Sequence, residues 1–534
     1  MTRSTARLGL ASVSGLALVM ALASQGQAQT VTLPLPQERP HVDRRGVDLT
    51  SGQVTATESD LSIGAKGTTG LTHTRVWSAG WGWRHGYMMT VNVDTASHIT
   101  LALGGASYGF TLSSGTASSG TWSSDQGDGA SVTSNSTSYT YTGRDGTVID
   151  FDATVLANDA SYYGSVAAVA TSISDPAGVA TTLTYEQGSY SIAVLRGTET
   201  VYVVRLLSVN TSTGYQLKYS YATNTLNAGT VDAWVQMSQA TAINNTVDYC
   251  SPSAETCTGL SQSWPAVSYA TSTASNGTVT ETVTDPQGRV RKNTIDPAGR
   301  LLSIQRPTAS SPSLAYVYAE NGTVMSAAVA GVGTWAYNFS AANNQLTATV
   351  TNPWVNSPRT VVSSTATHQF VSDTNENGWT TSYQEDSFGR VTQATAPVGN
   401  SASYVYDGNG NLWSTTVNAV GGGSSFTASS ATFPTSCTLA ATCNKPITTT
   451  DGNGNVTNYY YNSDGTVDHI QKPAVNGVRP EVHYGYGYVG AWLKNASGGF
   501  SLTSAVMSRL VTVTACRTQA WSCQASDEVV TTNN

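Results

Sequence analysis

The side chains that could do chemistry in this chain are few, and most fail on spacing. Gly105-Ala106-Ser107-Tyr108-Gly109 matches the Gly-x-Ser-x-Gly elbow of serine hydrolases. That elbow needs a strand before the serine and a helix after it, so that the hydroxyl sits at the tip of a strained turn. Phe110-Thr111-Leu112-Ser113-Ser114-Gly115 follows instead, which reads as strand and turn. The histidines, His41, His73, His85, His98, His368, His469 and His483, include no His-x3-His or His-Glu-x2-His pair, so neither a zinc site nor a paired base is expected. Asp373, Asn375 and Asn377, with Gly378 behind them, fit the first half of a calcium loop. Position twelve of such a loop should be a bidentate glutamate; here it is Gln384, with Glu385 one place late. No cofactor is expected, and calcium at Asp373, Asn375 and Asn377 is the single alternative.

The carboxylates that stand out are periodic. Asp285-Pro286-Gln287-Gly288-Arg289-Val290, Asp296-Pro297-Ala298-Gly299-Arg300-Leu301 and Asp386-Ser387-Phe388-Gly389-Arg390-Val391 are one module. Asp407-Gly408-Asn409-Gly410-Asn411-Leu412 and Asp451-Gly452-Asn453-Gly454-Asn455-Val456 repeat it, with degenerate copies at Asn321-Gly322-Thr323 and Asp464-Gly465-Thr466. Aspartate at the first turn position bonds backbone N–H groups two residues on, proline presets φ, and glycine takes φ > 0 without steric cost. The pair that follows, Arg or Asn and then an aliphatic residue, re-enters a strand. Catalytic carboxylates work as one unique pair, so repetition assigns these aspartates to backbone bends and leaves the catalytic list empty.

A larger unit, a pair of turns closed by proline, spans 285–307, 373–397 and 451–473. Such a unit cannot bury its apolar face alone and must stack on its neighbours. The pattern Tyr-Asp-x-x-Gly-Arg/Asn-Leu/Val resembles the YD repeat of RHS-repeat proteins, over about residues 280 to 475. The resemblance implies a hollow β-shell. In that family some shells enclose a C-terminal effector and cut themselves at an Asp-Pro-x-Gly-Leu motif. Asp296-Pro297-Ala298-Gly299 comes nearest, but Arg300 stands in the aliphatic place, so neither self-cleavage nor toxin activity carries over.

The elements that position these turns are strands. Charged residues make up 11% of the chain, against about 25% in a typical soluble protein, and helices need charged exposed faces. Twenty-six Tyr and 12 Trp exclude a solvated coil. A formal charge of −8 argues against a nucleic-acid partner. Residues 1–28, with Arg3 and Arg7 ahead of an apolar run and small residues up to Ala28, read as a secretory signal peptide. The mature chain is then expected to be secreted or on the cell surface, with the periplasm as an alternative, and without a membrane span. The cysteines form three close pairs, Cys250/Cys257, Cys437/Cys443 and Cys516/Cys523, and adjacent closure is the natural pairing in an exported chain.

The expected architecture is all-β: an N-terminal β-sheet domain over 29–245 without the repeat, then a hairpin array over 246–534. The order of Gly46–Gly52, Leu71–Trp77 and Gly80-Trp81-Gly82-Trp83 looks like the leader domain that precedes RHS repeats, and Trp81 and Trp83 share one strand face. Tyr139 and Tyr141 lead through Asp145-Gly146 into Val148–Phe151, a hairpin. Tyr215, Leu217, Tyr219 and Tyr221 share a face, with Gln216, Lys218 and Ser220 on the other. Segments 329–357 and 421–443 read as inserts, and no helix is expected. The array should coil into a curved sheet or partial shell, too short to close, and its end without a cap reads as truncation within the repeats. The function expected is a non-catalytic scaffold. The alternatives are the shell of a carrier whose C-terminal effector is missing, and an adhesin binding cell-surface glycan.

Overall fold

The computed structural model describes residues 41–65, 69–80, 82–156, 166–194, 197–516 and 528–532. The signal-peptide reading, Trp81 and Cys523 lie outside them. With 56% strand and 3% helix the chain is all-β.

Three strands, β1 (Ala56–Ile63), β2 (Leu71–Ser78) and β3 (Gly82–His85), form a separate antiparallel sheet. β2 buries every second side chain, Leu71, His73, Arg75 and Trp77, the period of a strand with one packed face.

Eight strands follow: β4 (Thr90–Thr95), β5 (His98–Leu103), β6 (Ala106–Thr116), β7 (Ser119–Ser124), β8 (Ser131–Ser134), β9 (Ser138–Thr142), β10 (Val148–Asp152) and β11 (Val166–Ser174). Each pairs antiparallel with the next, and β11 returns to β4 through Ala168↔Val91. The ring therefore closes within these eight. Its packed residues sit in register: Leu112 opposite Trp122, Trp122 opposite Val132, Val132 opposite Tyr141 and Tyr141 opposite Ile149.

At β11 the sheet branches. The Val166–Val169 half of one edge takes β4, and Ser172–Ser174 takes β12 (Ala180–Val194). From β12 one long meander runs through β13 (Gly197–Thr211), β14 (Tyr215–Tyr221) and β15 (Met237–Asn244) to the strand Glu528–Thr532. It crosses residues 246–265 unbroken, because β15 pairs directly with Ala266–Thr273.

Several expectations need correcting. Segment 329–357 is no insert: Gly333–Ala342 and Gln345–Thr351 form a hairpin that continues the sheet. Its Trp335 and Tyr337 are buried with period two, and Asn343 and Asn344, both at positive φ (52° and 59°), make the tight turn. Phe426–Thr432, in the second supposed insert, is likewise a sheet strand. Among the described residues two α-helices occur, α1 (Val231–Val235) and α2 (Ala440–Cys443), each too short to show a helical period. Both faces of β14 are buried, because Gln216 and Lys218 are covered as fully as Leu217. The covering element is the Cys250–Cys257 loop (Cα–Cα 5.3 Å), whose Pro252 carbonyl accepts bonds from Lys218 Nζ and Ser208 Oγ, both at 3.0 Å. Finally, the chain is long enough for its sheet to come round. Lys494 N donates to Asn245 O and Ser508 N to Ala177 O, each at 2.7 Å. Among the described residues no helix is long and apolar enough to cross a membrane.

Candidate functional site

The repeat turns show why Arg or Asn holds the fifth position. In Asp285–Arg289, Oδ1 of the aspartate accepts Gln287 N and Arg289 N (2.9 Å each), and Oδ2 accepts Arg289 Nε at 2.6 Å. Asp296 with Arg300 and Asp386 with Arg390 repeat this. Asp407 with Asn411 and Asp451 with Asn455 do so through the amide Nδ2 at 2.9 Å. The fifth residue must reach back with an N–H, and both types can. Gly288, Gly299, Gly389, Gly410 and Gly454 lie at φ 72–81°, the left-handed region. Burial pushes the Asp285, Asp296 and Asp386 carboxyls up, but bonds from the turn N–H groups more than offset it, so all three lie below the usual range. The bonds from Asn455 put Asp451 there as well.

Two of the turns, those of Arg300 and Arg390, are also tied to the next repeat. The Arg390 guanidinium lies 4.7 Å from the Tyr406 ring, and Tyr406 OH donates to Val391 O at 2.9 Å. Arg300, Tyr318 and Leu301 O form the same lock, at 5.0 and 2.7 Å. Thus the Asp–Arg pair of one turn supports the tyrosine that precedes the following aspartate or its equivalent.

The same devices occur in the region read as free of repeats. Asp175-Pro176-Ala177-Gly178-Val179 closes as Asp296–Arg300 does, with Val179 N on Asp175 Oδ1 at 2.8 Å and Gly178 at φ 93°. Asp43–Val47 is another copy. Arg205 stacks 4.7 Å from Tyr221, whose OH donates to Leu206 O at 2.6 Å. The Asp-Pro-Ala-Gly run at 175–178 is identical to 296–299 and was readable from the sequence.

Sequence reasoning missed a buried ion network between the three-stranded sheet and the long sheet. Arg75 Nε bonds Asp60 Oδ2 (2.6 Å) and its Nη1 bonds Glu281 Oε1 (2.5 Å). Arg291 reaches Asp60 Oδ1 (2.7 Å) and Glu58 Oε2 (3.0 Å), and Asn293 Nδ2 donates to Glu281 Oε2 (2.7 Å). Tyr269 OH donates to Asp60 at 2.8 Å, and its ring lies 4.3 Å from the Arg75 guanidinium. Burial works against the Asp60 charge, yet Arg75 and Arg291 hold its carboxyl below the usual range. Beside this network His73 and His85 pack on Tyr219, with ring centroids 5.4 and 5.6 Å away. Burial pulls His73 down to about 4 and His85 to about 3, so both are neutral at pH 7.

A cavity of about 940 Å³ opens where β4 and β12 part company on the edge of β11. Two strands share that edge, so beyond the fork their faces separate. Its lining includes Arg75, Trp83 and His85 from β2 and β3, Thr90, Asn92 and Asp94 from β4, and the apolar Val169, Val204, Leu206 and Met237. His85, half-buried, is among the residues that line it.

The remaining sequence candidates are scattered. Ser107 is exposed on β6, in a hairpin with β5, and no helix follows it. Asp373 is held by Arg359 at 2.9 and 3.0 Å, and Asn375 Oδ1 accepts Asn377 N and Trp379 N. These oxygens therefore serve the sheet and a turn. His98 bridges Asp94 and Asp125 at 2.8 Å each, and the bond to Asp125, above all, raises its pKa. His469 stacks between Tyr460 and His483. Cys250–Cys257 and Cys437–Cys443 are disulfides; Cys516 is disulfide-bonded too, but Cys523 lies outside the described residues. Among the described residues no cluster of three His, Cys, Asp or Glu could hold a metal.

No curated protein matches the chain. Among solved structures, the Tc holotoxin pore of Photorhabdus luminescens is similar at 10% identity, over 75% of this chain and 23% of that one, with a TM-score of 0.24. TcdB2-TccC3 is similar at 11% identity, over 72% and 24%, with a TM-score of 0.21. The chain spans about a quarter of the length of these structures. Residues 386–424 match the RHS Repeat family, and the turns at Asp386 and Asp407 lie inside that span. The chain carries an RHS repeat in that span.

Proposed function

We propose that the chain is a secreted or surface-displayed β-shell scaffold whose repeats carry load and interactions rather than catalysis. The observation that supports this is the Asp–Arg–Tyr lock. The turns commit the repeated carboxylates to backbone, guanidinium and amide N–H groups, and at Arg300 and Arg390 the lock binds one repeat to the next, so these groups serve the continuity of the sheet. The calcium alternative at Asp373, Asn375 and Asn377 is the less favoured reading, because Asp373 is paired with Arg359 and Asn375 Oδ1 already accepts two turn N–H groups. Export rests on residues 1–28. The test is fractionation of cells expressing the tagged chain with and without those residues. The full chain is expected in the medium or on the surface, and the shortened one inside. Retention of both inside would overturn the reading.

A further inference from the structure

We propose that the cavity at the sheet fork is a binding site for a small amphipathic aromatic molecule that carries a hydrogen-bond acceptor at one end. The volume, about 940 Å³, lies within the range of small-molecule sites, which are mostly apolar with a few placed polar groups. The lining is mixed but mostly apolar, Val169, Val204 and Leu206 included, so a hydroxyl-covered ligand would leave many of its own groups unpaired at a cost. On the polar side, Arg75, Trp83 and His85 line the cavity, and Arg75 Nη2, Trp83 Nε1 and His85 Nδ1 have no protein hydrogen-bond partner but are almost wholly covered, so a ligand must turn these side chains to reach them. Two of these three are obligate donors, so the end of a ligand that meets this side must accept. Arg75 is already balanced by Asp60 and Glu281, so the recognition is a directed bond added to a neutralised pair. Tyr269, stacked on that guanidinium, supplies an aromatic surface beside it. Met237 can repack around rings of different outline.

The site does not depend on the scaffold reading: export can fail and the cavity still bind, or the reverse. The probe is 1-anilinonaphthalene-8-sulfonate, with N-phenyl-1-naphthylamine as the analogue lacking the acceptor and maltotriose as a hydroxyl-rich competitor, all on the intact chain. The expected result is saturable one-to-one binding of the sulfonate, at least tenfold weaker binding of the analogue, and no displacement by maltotriose. Ala102→Trp and Met237→Trp, each filling part of the cavity, should weaken sulfonate binding at least tenfold. Should either variant misfold, hydrogen exchange on the intact chain still decides. Bound sulfonate should slow exchange at 83–92 and 204–206. Protection confined to other segments, equal binding of both naphthalenes, or displacement by maltotriose would each overturn the proposal.

Discussion

Aspartate–arginine pairs hold both the N-terminal sheet and the repeat turns, yet the two regions use them in opposite ways. In the turns the partners are four residues apart and half exposed: the Arg289 side chain is 62% accessible. In the β1–β3 network the carboxylate–arginine pairs are 15 to 233 residues apart and largely buried: the Asp60 side chain is 1% accessible. A local exposed pair shapes a bend and adds little stability, since measured surface pairs contribute about 0–1 kcal/mol. A buried pair adds little over an apolar substitute, but becomes costly when one partner is lost. The repeats should therefore tolerate single losses, and the seat of the N-terminal sheet should not.

The largest effect should come from Arg75→Met. It leaves Asp60 and Glu281 facing each other's surroundings with less compensation, which costs about 3–5 kcal/mol. Hydrogen exchange read by mass spectrometry should show β1–β3 opening while strands 391–395 and 401–406 keep their protection. Uniform loss across both regions would mean that the two are one cooperative unit.

Acid should separate the regions next. His73 titrates near 4 in the folded chain and near 6.5 unfolded. A histidine with a lowered folded value supports the fold fully above the unfolded value, and that support drains as pH falls from about 6.5 toward 4. The displacement corresponds to on the order of 3 kcal/mol. The turn aspartates, whose values are lowered, keep their support until pH drops below the unfolded carboxylate value, near 4. At pH 4.5 exchange should therefore quicken around His73 and not at the turns. His73→Phe should lessen the dependence between pH 6.5 and 4.5, His85 supplying the remainder.

Glycine substitutions then compare one turn in two settings. Gly288 (φ 75°) would place a new Cβ in open space, so Ala should cost only the left-handed backbone penalty, about 1–2 kcal/mol. Gly410 (φ 72°) faces the barrel loop: a Cβ there would approach Asp128 Cα to 3.0 Å and meet Gly127 O closer still. Gly410→Ala should therefore exceed Gly288→Ala by at least about 1 kcal/mol through overpacking, measured as the difference in urea midpoint under the same conditions.

How much was legible follows the same division. Every interaction inside a turn is set by five adjacent residues, so Asp285, Asp386 and Asp451 could be read directly, and so could the all-β class. The hairpin at 333–351 hid because its corner is Asn343-Asn344, not Asp-x-x-Gly, although Trp335 and Tyr337 already showed period two. The fork at β11 could not be read: β4 and β11 are joined by register between distant residues, and nothing in either strand names its partner. The ion network left a fainter trace. In a chain with 11% charge, Glu58-x-Asp60, Arg75, Glu281 and Arg291 all fall inside β-rich runs, where an unpaired charge would be costly.

The smallest contrast tests the lock itself. Arg289 and Arg390 make the same ion pair with their own turn aspartates, at 2.6 and 2.7 Å. Arg390 also lies against Tyr406 and donates to Gly127 O at 3.1 Å. If the ion pair alone mattered, Arg289→Ala and Arg390→Ala would cost the same. The exposed pair should be worth less than about 0.5 kcal/mol. The Arg390 change should cost about 1–2 kcal/mol more, from a cation–π contact and a hydrogen bond to a charged donor. Exchange at Val391 and Tyr406 should quicken in Arg390→Ala, and exchange at Val290 should hardly change in Arg289→Ala. Tyr406→Phe, which keeps the ring and deletes the bond to Val391 O, should fall between the two. Equal costs for the two arginines would reduce the repeat to a row of turns joined by strand pairing alone.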